Sequence, residues 1–131
     1  MSYTLDASAL LALIKDEKGA DKVRHVLRSK TQPFMHALNF LEVGYNVKKK
    51  CPNQYREIDL YLKTIPVAIV QLLTPDITDY AKYLKTKYKL SLADSIGVAL
   101  NAFLGTTFLT SDRHELEAVA KGEKVKIEFL R

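Results

Sequence analysis

The sequence predicts an α/β fold, a three-layer α/β/α domain built on a central parallel sheet of about five strands. Three observations lead there. Short apolar or β-branched runs alternate along the chain with longer segments of helical period. The strand candidates are separated by helices, which implies parallel pairing through right-handed crossovers. And 131 residues with no internal repeat, low-complexity stretch or Gly/Ser-rich linker fit one domain, expected to span residues 1–131.

The first strand is expected over Ser2–Leu5, ending at Asp6, with a helix from about Ala7 to Ile14. In "GADKVRHVLRS", Val23, Val26 and Leu27 share one face, so a second helix follows Gly19. "QPFMH" is a short strand candidate, and "ALNFLEVGYNVKKK" is a nearly all-apolar helix that ends basic. "NQYREIDLYLKTI" sets Ile58, Tyr61, Leu62 and Ile65 in helical register. "VAIVQLL" is β-branched and bounded by Pro66 and Pro75, which predicts a buried strand. "DITDYAKYLKTKY" is amphipathic, with Ile77, Tyr80, Ala81, Leu84 and Tyr88 as its core stripe. "SLADSIGVALNAFLG" reads as a buried helix closed by Gly105. "TTFLT" is a strand, "DRHELEAVAKG" a short helix and "KVKIEFL" a final strand.

Composition narrows the class. Apolar content of 47% and charged content of 27% are ordinary for a globular protein. No stretch approaches the run of about 18 apolar residues that a membrane span requires. "MSYTLDAS" lacks a basic n-region and a small-residue cleavage site, so a cytoplasmic location is expected. The single Cys51 excludes a disulfide framework and a Cys-rich metal site. A formal charge of +5 is a modest bias toward polyanionic partners.

In parallel α/β sheets, function gathers beyond the carboxyl ends of the strands. Asp6 stands at one such end and Asp112, after "TTFLT", at another; Asp94 lies in the first turn of its helix. Each has a structural explanation. Asp6 can N-cap its helix, Ser91 and Asp94 form an S-x-x-D capping pattern, and Asp112 and Glu115 form a D-x-x-E one. Glu42 differs. Asn39, Glu42 and Asn46 form one polar line on an otherwise apolar helix, either its thin solvent face or a carboxylate aimed into a polar site.

Together these acids can converge on one edge of the sheet. Four carboxylates so close repel one another unless protonated or neutralised by a cation. An all-oxygen site suits a hard ion, Mg²⁺ or Mn²⁺. Ser8, Asn39 and Thr110 lie close enough in sequence to orient the ligands, or to serve as ordinary caps and strand-end bonds.

"YTLDASALLAL", "ALNFLEVGYN", "LSLADSIGVALN" and "FLTSDRHEL", in that order, resemble the PIN-domain ribonucleases, especially the VapC toxins of prokaryotic toxin–antitoxin pairs. The resemblance covers essentially the whole chain. It implies a PIN-like fold in which Asp6, Glu42, Asp94 and Asp112 hold the metal and carry catalysis. It also implies metal-dependent endonucleolytic cleavage of RNA, a homodimer, and inhibition by a small VapB-like antitoxin. The last block departs from the pattern, with Leu116 where many relatives carry an aromatic residue.

Hydrolysis of a phosphodiester by metal-activated water predicts a 5′-phosphate and a 3′-hydroxyl. A metal-free route would want a His pair or a nucleophilic Cys. His25, His36 and His114 stand in unrelated contexts, and Cys51 borders Pro52 at a helix boundary. RNA contacts would come from Lys48, Lys49 and Lys50, or from Lys82, Lys85 and Lys89, although solvated helix faces are often basic without a ligand. A receiver domain would need an early acidic pair, and a haloacid-dehalogenase-type phosphatase would need D-x-D where Ser8 stands. The remaining alternatives are a non-catalytic PIN-like interaction module, and a PIN-type nuclease acting in RNA processing or on DNA.

Overall fold

Five strands and seven helices alternate along residues 1–131 of the computed structural model. They are β1 (Tyr3–Leu5), α1 (Ala7–Ile14), α2 (Ala20–Arg28), β2 (Phe34–His36), α3 (Ala37–Lys50) and α4 (Tyr55–Leu62). They continue as β3 (Ala68–Val70), α5 (Pro75–Lys87), α6 (Leu92–Leu104), β4 (Thr107–Thr110), α7 (Arg113–Gly122) and β5 (Lys126–Phe129). Every strand pair is parallel and the sheet order is β3-β2-β1-β4-β5, the α/β architecture expected from the alternation of elements.

That order positions the site. The chain begins at the centre with β1, builds outward through β2 to β3, then returns to lay β4 on the other side of β1. The direction of winding reverses between β1 and β4, and ligands of open α/β sheets bind in the crevice beyond such a reversal. Asp6 directly follows β1, and Ser111 and Asp112 directly follow β4.

The pleat sorts the core into two layers. Leu5 and Leu109 point to one face, where Ala9, Leu10 and Leu13 of α1, Val23 and Val26 of α2, and Val43 and Val47 of α3 close over them. Phe108, the residue between Thr107 and Leu109, points to the other face and packs with Leu84, Val98, Leu116 and Val119. A third cluster joins Ile77 and Ala81 of α5 to Ile96, Ala99 and Leu100 of α6.

Local signals stop and start the helices as the residue types dictate. Thr74 accepts a hydrogen bond from the Ile77 amide with Pro75 in the first turn of α5. Ser91 accepts from the Asp94 amide at 3.0 Å to open α6, and Gly105, at φ 68°, closes it in the left-handed region. Two expectations change. "VAIVQLL" is not a buried strand: only Ala68–Val70 pair, at the sheet edge, and Ile69, Leu72 and Leu73 are 38%, 51% and 52% exposed. A β-branched run bounded by prolines looks the same at an edge as at a centre. Tyr80 and Tyr88, expected in the core stripe of α5, are only half-buried, and their hydroxyls donate to Glu123 at 2.9 and 2.8 Å.

Candidate active site

Asp6 has the extended backbone of a helix cap, but its side chain caps nothing. Its Oδ2 instead accepts hydrogen bonds from Thr110 Oγ1 at 2.6 Å and Ser8 Oγ at 2.9 Å. Thr110 Oγ1 also accepts from the Asp112 amide at 3.0 Å, and Ser8 Oγ from the Ser111 amide at 2.9 Å. The ends of β1 and β4 are thus tied together around one buried carboxyl. Burial holds that carboxyl above its ordinary pKa; Thr110, Ser8 and the Ala7 amide oppose the shift, while the Asp112 charge adds to it.

Asp94 is a first-turn residue of α6 that leaves capping to Ser91. Only 7% exposed, its carboxyl is pushed up to about 9, first by burial, then by Asp6, a side-chain hydrogen bond with Glu115, and the Glu42 charge. Asp112 does two things. It caps α7 by accepting from the Glu115 amide at 3.3 Å, and its carboxylate also meets those of Asp94 and Glu115. One oxygen from each of these three residues falls within 4.8 Å of the others.

Glu42 reaches the same region from α3. Burial raises its pKa first, followed by the charges of Asp6, Glu115 and Asp112. Its Oε1 is buried without a hydrogen-bond partner, as are the Oδ1 atoms of Asn39 and Asn46. The polar line of α3 therefore points inward. The exposed side of that helix carries Leu41 and Tyr45, followed by the three lysines Lys48, Lys49 and Lys50. Asn39 is fully buried and donates through Nδ2 to the Ala93 carbonyl at 3.1 Å, directly beside Asp94. Its Oδ1 lies where a Cβ on Gly97 would approach to 2.8 Å, so glycine lets α3 and α6 come together here.

Asp94 and Asp112 are thus brought together at close range, while Asp6 and Glu42 lie outside that trio but within reach of its charge. Glu115 is the acid that the sequence did not single out. Its D-x-x-E spacing from Asp112 was fully accounted for by capping, yet the cap uses its amide and leaves the carboxylate free to join the cluster. His36 is structural: Nδ1 accepts from the Leu38 amide at 3.1 Å, which makes Nε2 the donor to the Leu72 carbonyl at 2.9 Å. Cys51 ends α3.

The arrangement is a crevice of carboxylates with an unpartnered acceptor on Glu42 and raised pKa values at Asp6, Glu42 and Asp94, a donor set for a hard cation. No helix is long and apolar enough to cross a membrane.

Comparison with known proteins accords with this geometry. Comparison with curated protein sequences found no match. Among solved structures, a toxin–antitoxin complex from Klebsiella pneumoniae superposes with a TM-score of 0.74 at 18% identity, covering 98% of each chain. VapBC2 from Rickettsia felis, bound to a promoter DNA fragment, gives 0.72 at 17% identity, again over 98% of each chain. VapC20 of Mycobacterium tuberculosis, described as a sarcin–ricin-loop-cleaving toxin, gives 0.69 at 14% identity over 88% of this chain and 94% of that one. At such identities these likenesses speak to the fold. The PIN domain family matches residues 3–122, and the chain belongs to that family.

Proposed function

We propose that this protein is a metal-dependent endoribonuclease, the toxin of a toxin–antitoxin pair, with Asp6, Glu42, Asp94 and Asp112 as its catalytic acids and Glu115 as a fifth. The observation that carries the reading is the meeting of the Asp94, Asp112 and Glu115 carboxylates within 4.8 Å, at the point where the winding of the sheet reverses. Membership of the PIN domain family supports it, as does the likeness to toxins from toxin–antitoxin pairs.

The residues fit a divalent ion, Mg²⁺ or Mn²⁺. All the donors are oxygens, Glu42 Oε1 has no protein partner, and burial together with like charge holds protons on Asp94 that a cation would displace. Asp94, Asp112 and Glu115 would hold the ion directly, with Asp6 and Glu42 completing the anionic wall. When bound, such an ion activates water and stabilises charge on the phosphate.

The chain's own groups supply the rest. Thr110 and Ser8 fix the rotamer of Asp6 through two short hydrogen bonds, so that carboxylate needs no reordering when substrate arrives. Asn39 anchors the α6 backbone at Ala93 and so positions Asp94 against α3. Glu42, whose Oε1 is buried without a partner and whose pKa is raised by burial and by the charges of Asp6, Glu115 and Asp112, would accept the proton of the attacking water. In-line attack then leaves a 5′-phosphate and a 3′-hydroxyl. A VapB-like antitoxin would cover this anionic crevice with a basic or apolar segment, and the toxin would act as a homodimer in the cytoplasm.

Incubation of the purified chain with total cellular RNA tests the reading. Cleavage to 5′-phosphate ends in Mg²⁺ or Mn²⁺, abolished by EDTA, is expected. Intact RNA with folded, metal-saturated protein would overturn it.

A further inference from the structure

The acidic crevice opens on one side into a cleft of about 550 Å³ between the α5–α6 connection and α7, lined by Lys87, Tyr88, Lys89, His114, Glu115 and Ala118. Glu115 belongs to both: one carboxylate borders the cleft and joins Asp94 and Asp112. The segment that carries Tyr88 and Lys89 also runs directly into Ser91, the cap of the helix bearing Asp94. The cleft is therefore built onto the acidic centre.

Its walls have the opposite chemistry from that centre. The α5 lysines separate once their contacts are traced. Lys82 pairs with Asp79 at 3.1 Å, Lys85 donates to the Leu90 carbonyl at 2.7 Å, and Lys87 donates to Tyr83 Oη at 2.9 Å. Lys89 and His114 are exposed at the cleft and take part in no such contact. The same cleft is lined by an aromatic ring, Tyr88, whose far end is fixed. Tyr88 Oη donates to Glu123 at 2.8 Å, alongside Tyr80 and Tyr83 at 2.9 Å each, so three tyrosines of α5 and its end grip the residue that closes α7. Lys87 Nζ lies over the Tyr88 ring, 5.5 Å from its centroid, and the ring packs on the core cluster of Phe108 and Leu116, so it forms a fixed wall of the cleft.

We infer that this cleft seats the single-stranded RNA flanking the scissile bond, with Lys89 and His114 contacting the neighbouring phosphate. The inference rests on the nuclease reading above and adds the direction in which the strand leaves the acidic centre. Physical need supports it: a centre rich in carboxylates repels a polyanion, so the phosphates beside the reacting one require cationic groups. A free lysine at the mouth of the centre supplies that charge, and the His114 ring adds a hydrogen-bond donor beside it.

The test is fluorescence anisotropy with a labelled single-stranded RNA oligonucleotide in Ca²⁺ over a series of salt concentrations, together with steady-state cleavage in Mg²⁺. Lys89→Gln and His114→Ala should each weaken binding about tenfold, the loss of one charge-assisted or polar phosphate contact, and raise KM more than they lower kcat. Lys89→Gln should also flatten the slope of log K against log salt by about 0.7, the value for one phosphate contact on a single strand. The melting shift caused by Mn²⁺ should stay that of the parent, and Lys63→Gln, on a lysine paired with Asp59 at 2.8 Å beyond the end of α4, should match the parent throughout. If Lys89→Gln keeps the parent's affinity and slope while the parent cleaves RNA, the strand leaves by another path; the cleft assignment is then wrong and the nuclease reading stands. A changed Mn²⁺ shift in either variant would also overturn it, because the residue would then act through the cation site. If the parent neither binds nor cleaves RNA, both readings fall.

Discussion

Replacing Asp94 by Asn removes an ionisable carboxyl from the most crowded point of the site while keeping the shape of the side chain. Ser91, not Asp94, caps α6, so no helix-capping bond is lost, and the new amide can donate to Glu115. In the metal-free parent the Asp94 carboxyl is pushed up to about 9 from an ordinary 3.8. The native state therefore binds more protons than the unfolded chain between those values. The stability associated with this group is full below pH 3.8 and is lost as pH rises toward about 9. At pH 7 the loss is bounded by about 1.36 kcal/mol for each pH unit above the unfolded value, or about 4 kcal/mol. Because the neighbouring carboxylates share protons, we expect a gain of about 1–3 kcal/mol for Asp94→Asn in EDTA. For a chain of this size that is a rise in Tm of about 4–12 °C. Saturating Mn²⁺ should shrink that lead, since a cation at one hundred times its Kd adds about 2.7 kcal/mol to the parent and less to a variant that binds it weakly. Melting curves at pH 5, 7 and 9, with and without Mn²⁺, check this. A variant that melts well below the parent in EDTA, and gains as much from Mn²⁺, would refute the crowded-anion account and make Asp94 a structural anchor.

Asp112→Asn should separate the two tasks of that residue. Asn caps nearly as well as Asp, so Tm in EDTA should stay within a few degrees of the parent, while RNA cleavage should fall by about two orders of magnitude or more. Gly97→Ala would place a Cβ 2.8 Å from Asn39 Oδ1 and 3.0 Å from the Phe108 ring, costing about 1–3 kcal/mol in thermal or urea unfolding. It should also weaken cleavage by moving α6, and thus Asp94, away from α3.

How far the sequence exposed this site depends on how local each signal is. The two strand-end acids were legible because a strand followed by Asp and a helix occupies a short window: Asp6 after β1 and Asp112 after β4 both stand there. Capping rules could not say which was the cap. Asp112 is, and Asp6 is not, because Thr110, far away in sequence, supplies the shorter bond to Asp6. The inward turn of Asn39, Glu42 and Asn46 could not be read from periodicity alone, since the opposite face of α3 exposes Leu41 and Tyr45 and so gave no clear polar side. Glu115 was hidden by a motif that explained its presence through its backbone and was silent about its carboxylate. The edge position of β3 depends on sheet order, a tertiary fact that a seven-residue apolar run does not encode.

The bond between Thr110 and Asp6 joins residues 104 positions apart, and the pairing of β1 with β4 spans the same interval. During synthesis Asp6 waits for its partner Thr110 until the 104 positions that separate them have been made. Contacts of such range form late and slowly. A nascent fragment that already contains Asp6, Glu42 and even Asp94 cannot yet arrange them, because β4 and the Asp112–Glu115 turn arrive afterwards. For a nuclease this order of assembly is a built-in delay: the acidic centre cannot close until β4 and the turn from Asp112 to Glu115 have joined the strands and helices made before them.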